Sequence, residues 1–172
     1  NTSALQQAFS SYFSNPRQNS FKLAIQLFLI SMPFKFLEDI AIADVAFEAR
    51  GKNLAELFAS AALATTQVMV DLKTISKDVS KPIAIKAKDV DKLLRDFLDE
   101  IIFVKDTELL VFSKFDVKIK ENSGYELKAN AYGEKLDMKK HKFGVDVKAT
   151  TMHMFEVKKE ATGWKARVIL DI

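Results

Sequence analysis

The chain has 172 residues, 48% of them hydrophobic, with a formal net charge of +3 and no cysteine. That is enough apolar content for one domain with a substantial core. It excludes disulfides, thiol catalysis, thiolate zinc sites and iron–sulfur clusters, and the mild charge lacks the strong basic signature of a nucleic-acid-binding protein.

The longest apolar run, LAIQLFLI at Leu23–Ile30, is too short to span a bilayer. It is broken by Gln26, and no small-residue cleavage pattern follows it, so it reads poorly as a signal peptide. The expectation is a protein without a membrane anchor, and the absence of cysteine fits a cytoplasmic one. Residue 1 is Asn, and Met32 opens MPFKFLED as a natural start. Residues 1–31 are therefore expected to be an N-terminal extension, an extra helix or upstream sequence, before a domain over 32–172.

FKFLED and DVAFEARG alternate apolar and polar residues, the period of half-buried strands. In the second, Val45, Phe47 and Ala49 share one face and Ala46, Glu48 and Arg50 the other. After Gly51, Asn53 and Glu56 form a capping-box pattern that starts a helix through NLAELFASAALATTQVMVDL. Leu54, Leu57, Phe58, Ala61, Ala62 and Val68 are its expected buried stripe. KPIAIKAK reads as a strand with Pro82 near its start. Asp89 caps a second helix, VDKLLRDFLDEIIFVKD, with Leu93, Leu94, Phe97, Leu98, Ile101 and Ile102 on its apolar face. LLVFSKFDVKIKE and YELKANAYG form a hairpin around NSG. KHKFG is a turn, and VDVKATTMHMFEV and WKARVILD are the last two strands, joined through KKEATG. Two helices on mostly antiparallel sheet make an α+β domain.

Among five glycines there is no phosphate-binding loop or dinucleotide fingerprint, and two histidines cannot make a His-rich metal site. His153 falls in the alternation class of Val147 and Phe155, as a core histidine would. KKHK at Lys139–Lys142 reads as a solvated basic turn. Asp44 opens a strand and Asp171 closes one, beside the α-carboxylate of Ile172. If those strands are neighbours, three anionic groups meet. They are then either solvated acids at strand ends or oxygen ligands for a hard divalent cation.

The order of these pieces resembles the archease family over roughly Pro33–Ile172. Phe36-Leu37-Glu38 followed by Ala43-Asp44 matches the family's opening stretch, and Gly51 the end of the strand. The helices NLAELFASAALATTQVM and LLRDFLDEIIF follow, then Lys140-His141-Lys142-Phe143-Gly144, VKATTMH and the final Asp171-Ile172. The resemblance implies a metal site of Asp44, Asp171 and the Ile172 carboxylate, for calcium, magnesium or manganese. It also implies functional positions at Lys148 and Glu100. The family's His-Thr pair is missing: DIAIA between Glu38 and Asp44 is two residues longer than the family spacing. This leaves Asp39 as an added ligand or a surface acid; His153, in VKATTMH, is a separate functional candidate. What the resemblance implies is a non-enzymatic partner of the GTP-dependent tRNA-splicing RNA ligase, which also acts in RNA repair. Such a partner promotes ligase guanylylation and multiple turnover, and touches RNA only through the ligase. The alternatives are a metal-dependent phosphoesterase, or a general chaperone or RNA-binding module. An added C-terminal tag is expected to remove the terminal carboxylate as a ligand.

Overall fold

The computed structural model describes residues 33–37 and 44–172. The expected extension over 1–31 and the candidate Asp39 lie outside them. The elements, in order, are β1 (Phe34–Leu37), β2 (Asp44–Gly51), α1 (Leu54–Met69), a 3-10 turn (Leu72–Thr74), β3 (Val79–Ala87), α2 (Val90–Glu108), β4 (Leu110–Glu121), β5 (Tyr125–Lys135), β6 (Ala149–Thr150), β7 (Glu156–Glu160) and β8 (Gly163–Asp171). They form the expected α+β domain. One sheet runs β1-β2-β8-β6, with β7 also on β8, and the other runs β3-β5-β4. All pairings are antiparallel.

Both helices start where their caps dictate. Asn53 Oδ1 accepts from the Glu56 N–H at 2.9 Å, and Asp89 Oδ1 from the Lys92 N–H at 2.8 Å. Glu56 reaches back one residue further than a capping box does, to the Lys52 N–H at 2.9 Å. Helix α1 is buried on nearly every side rather than along one stripe, because it touches β2 and β8 of one sheet and β4 of the other. Its alanines, Ala61, Ala62 and Ala64, let both sheets approach. Its buried hydroxyls are satisfied within the helix: Ser60, Thr65 and Thr66 donate to the carbonyls of Glu56, Ala61 and Ala62. Phe58 stacks on Phe97 of α2 with ring centroids 6.2 Å apart, and Phe97 meets Phe115 of β4 edge-on at 6.1 Å. Pro82 lies in β3, an edge strand, where its missing N–H breaks no interior ladder.

VDVKATTMHMFEV does not form one strand. Thr150 pairs with Leu170 and Glu156 with Arg167, so five residues, 151–155, face only two of β8. The surplus bulges out as a turn in which Met154 has φ 53°, and His153 is exposed at its tip. His153 is therefore not the core histidine that alternation suggested. The final hairpin closes through Ala161 and Thr162, with Glu160 opposite Gly163. Gly163 has φ 141°, and a Cβ there would lie 2.4 Å from the Gly51 carbonyl oxygen.

The sheet buries both faces at its centre. Phe47, Ala49, Ala166, Val168 and Leu170 join the main core. On the reverse face Ala46 and Ile169 are buried beside Glu48, whose side chain is only 8% exposed. Lys35 at 3.2 Å, Arg167 at 3.3 Å, Lys165 at 3.6 Å and Arg50 at 3.9 Å surround that carboxylate. Burial pushes its pKa up, but Lys35, Arg167 and Lys165 overcome this and hold it below the usual carboxylate value. Removing Glu48 leaves Lys35 and Arg167 without their carboxylate, while Arg50 and Lys165 keep Glu160. Glu48→Ala is expected to cost about 3 kcal/mol in urea unfolding, with the m-value unchanged; a change under about 0.5 kcal/mol would show that the cluster contributes nothing.

Candidate functional site

β2 begins at Asp44 and β8 ends at Asp171, and the two are directly paired in the antiparallel register. Opposed residues in such a pair project from the same face. The two carboxylates therefore share a sheet corner, with Asp44 half-buried and Asp171 exposed. Both acids keep to this corner because the register is anchored by the apolar pairs behind them, half-buried Val45 opposite buried Leu170 and Ala46 opposite Ile169, both buried.

Lys148 completes the corner. Its N–H donates to the Asp171 carbonyl at 2.9 Å, which continues the ladder by which Ala149 pairs with Asp171. Its Nζ donates to a main-chain oxygen of Ile172 at 3.0 Å. The register thus sets Asp44 opposite Asp171, and Lys148 bonds the main chain of the next residue, Ile172. Among the described residues no three His, Asp or Glu side chains form a metal-binding group; the third oxygen donor here belongs to the main chain. The donor set is all oxygen, which suits a hard divalent cation.

Glu100, the other position singled out in the sequence, is half-buried on α2 and makes no ion pair or side-chain hydrogen bond among the described residues. Its neighbour Asp99 is the one that reaches the corner. Asp99 Oδ1 accepts from the Thr150 N–H at 3.0 Å and from the Thr150 hydroxyl at 2.7 Å. Asp91, two turns earlier on α2, accepts from the Val157 N–H at 2.8 Å. These two acids hold β6 and β7 against β8. The signal in the sequence was their placement, eight residues apart on the flank of the apolar stripe, which puts both toward one side of the helix.

The second histidine also departs from expectation. His141, read as part of a solvated basic turn, has a fully buried side chain. Its Nδ1 accepts from the Asp137 N–H at 2.8 Å, and its Nε2 lies 3.3 Å from Glu134 Oε1. Glu134 also accepts from Lys140 Nζ at 2.6 Å and from the Ser76 N–H at 2.5 Å. This latch folds KHKFG onto the end of α1, where the Gly144 N–H donates to Met69 O at 2.9 Å. A Cβ on Gly144 would lie 2.1 Å from Val68 O, so only glycine allows the approach. Past it, Asp146 pairs with the buried Lys105, and the Lys105 Nζ also donates to Val147 O at 3.3 Å. The segment is thereby fixed just ahead of Lys148. KHKFG thus aims the corner and takes no part in it.

Known proteins share this arrangement of chain. Residues 34–172 match the model of the Archease protein family (MTH1598/TM1083). A protein archease of Methanosarcina barkeri is 42% identical over 132 residues, covering 76% of this chain and 90% of its own length. One from Methanothermobacter thermautotrophicus is 41% identical over 140 residues, 81% of this chain and 98% of its own. The solution structure of Methanobacterium thermoautotrophicum protein 1598 is similar at TM-score 0.73 and 41% identity, covering 82% of this chain and 99% of that one. The crystal structure of an archease, possible chaperone, from Thermotoga maritima shares the fold at TM-score 0.52 and 18% identity, over 80% and 98% of the two chains.

The latch has a pH signature. Burial raises the Glu134 carboxyl, but Lys140, Ser76 and His141 bring it from its ordinary 4.5 down to about 2. A carboxyl lowered on folding adds stability above its unfolded value that is lost as pH falls toward the folded one. Melting temperature is therefore expected to drop between about pH 5 and pH 2, and Glu134→Gln to lower it at pH 7 while flattening that acid limb. An acid limb identical in the variant and the parent would contradict this.

Proposed function

Because this chain belongs to the archease family, we propose that it is an accessory protein of the GTP-dependent tRNA-splicing RNA ligase, promoting its guanylylation and multiple turnover. The observation that carries the reading is the direct pairing of Asp44 with Asp171, with Lys148 on the adjoining Ile172 oxygen. An exposed edge with this composition is a poor structural device, since two opposed acids repel and stabilise nothing. It is a good place to hold a divalent cation, calcium, magnesium or manganese. Asp44, Asp171 and the main-chain oxygens of Ile172 would be its ligands. Three protein groups fall short of the six to eight oxygens calcium takes, so donors from water or from a docked ligase would complete the shell. A cation held by these residues would supply positive charge to anionic groups of a docked ligase.

The chain's own residues do the positioning. Lys148 neutralises part of the anionic corner and presents an ammonium for a phosphate or a ligase carboxylate. Asp99 fixes Thr150 and so the path of the chain that carries Lys148 and Ala149. The relatives are named for the family and not for a reaction, in keeping with a protein that is not itself an enzyme. No helix among the described residues is long and apolar enough to cross a membrane.

The reading is tested by ligation with excess RNA substrate and a sub-stoichiometric amount of this chain. The parent is expected to carry the ligase past one turnover. Asp171→Asn should lose that effect, and Asp99→Ala, which touches no ion, should weaken it roughly tenfold. Activation undiminished in both Asp44→Asn and Asp171→Asn would refute the acid edge as the working part.

A further inference from the structure

The three-stranded sheet has an open outer face, and its composition differs from that of the chain as a whole. Ile83, Phe115, Leu127 and Ala129 line the face that joins the core. The alternate residues face solvent in four rows across β3, β5 and β4. The rows are Ser80–Tyr132–Lys114, Pro82–Asn130–Asp116, Ala84–Lys128–Lys118 and Lys86–Glu126–Lys120. Five lysines and two acids occupy one face. The chain's small net charge hides this concentration.

Two of the lysines are neutralised where they stand: Lys86 pairs with Glu126 at 3.2 Å and Lys114 with Asp116 at 3.1 Å. Lys118, Lys120 and Lys128 have no ion-pair partner among the described residues, and all three are exposed. Lys118 and Lys128 are moreover directly opposed across the ladder. Like charges in that position destabilise a sheet, so nothing in the fold calls for the pair. An anionic ligand does. The excess positive field is felt on the same face, where Glu126 is held below its ordinary value by Lys86 first and then by Lys128 and Lys120.

The spacing favours a polyphosphate chain over a single anion. Rows recur about 7 Å apart along the strands and neighbours sit about 4.8 Å apart across them, so the ammonium groups form a track rather than a point. The track runs from Lys114, whose Nζ lies 4.7 Å over the Tyr132 ring, to the β4–β5 turn. There a cleft of about 610 Å³ is lined by Lys86, Lys88 and Lys92 together with the acids Asp89 and Glu126. Ala84, Pro82 and Asn130 lie at the track's centre, and its cations are lysine point charges, not bidentate arginine forks, so they hold an anion without fixing its orientation. Point charges on a flat surface suit a flexible backbone read without sequence preference.

We propose that the outer face of β3-β5-β4 is a sequence-independent binding surface for the phosphate backbone of single-stranded RNA, with Lys118, Lys120 and Lys128 as its main contacts. The surface is separate from the acid edge, and the inference stands whether or not the ligase reading holds. It revises the expectation that RNA is touched only through a partner.

The test is fluorescence anisotropy of a labelled polyuridylate oligonucleotide, titrated with the whole chain alone at several salt concentrations. The parent should bind at low salt. The double variant Lys118→Gln/Lys128→Gln should bind roughly tenfold more weakly or worse. Its slope of log affinity against log salt should be shallower by about 1.4, two contacts' worth. Its melting temperature should not fall, since the change removes a repulsion. Asp171→Asn should bind RNA like the parent, which separates this surface from the acid edge. No binding by the parent at low salt, or equal binding by the double variant, would overturn the proposal. Equally strong displacement by polyglutamate would overturn the RNA assignment in favour of an acidic protein segment.

Discussion

The candidate site depends on one antiparallel register, that of β8 against β2. It sets Asp171 opposite Asp44. A slip by one residue would turn every side chain of β8 to the other face. It would drive Asp171, Arg167 and Lys165 into the core that Leu170, Val168 and Ala166 now fill. The cost of that exchange is what makes the acidic corner a fixed feature. The core therefore specifies the site indirectly, by making only one alignment of its two edge acids tolerable.

The rest of the molecule can be understood as support for the other edge of β8. β6 and β7 are short and could not hold β8 unaided. Asp99 and Asp91 reach from α2 to their main chain, so the helix that builds the core also sets the strand beside the acids. The Glu134–His141 latch and Lys105 act one step earlier, fixing the path of 137–147. Lys148 arrives at Ile172 with little freedom left to its main chain.

Much of this was legible in the sequence, and the parts that were not have a common cause. Asn53 and Asp89 announce their helices because capping is a contact over three residues. DVAFEARG declares its two faces because strand alternation is local, and the pairing of Asp44 with Asp171 followed once the last strand was laid beside it. Glu48 was given the correct face but not its burial, since that depends on cations from β1 and β8. The two histidines exchange the roles that pattern assigned them. His153 sits in phase with apolar neighbours, yet the surplus of residues opposite β8 expels it. His141 stands in a run of lysines, yet Glu134 and the Asp137 N–H draw it inward. Asp99 was overlooked in favour of Glu100 because a helix flank does not reveal which of two adjacent acids faces a strand. The lysines of β4 and β5 were invisible in a total charge and become a surface only when the strands are paired.

The central claim is that the corner formed by Asp44, Asp171 and Ile172 holds a divalent cation. Isothermal titration of the purified chain with calcium, repeated with manganese, tests it without any partner. The account predicts one ion per chain, with binding lost or strongly weakened in Asp44→Asn and in Asp171→Asn and retained in Glu134→Gln, whose carboxylate is equally anionic but already engaged elsewhere. Heats indistinguishable between the parent and the two corner variants would contradict it.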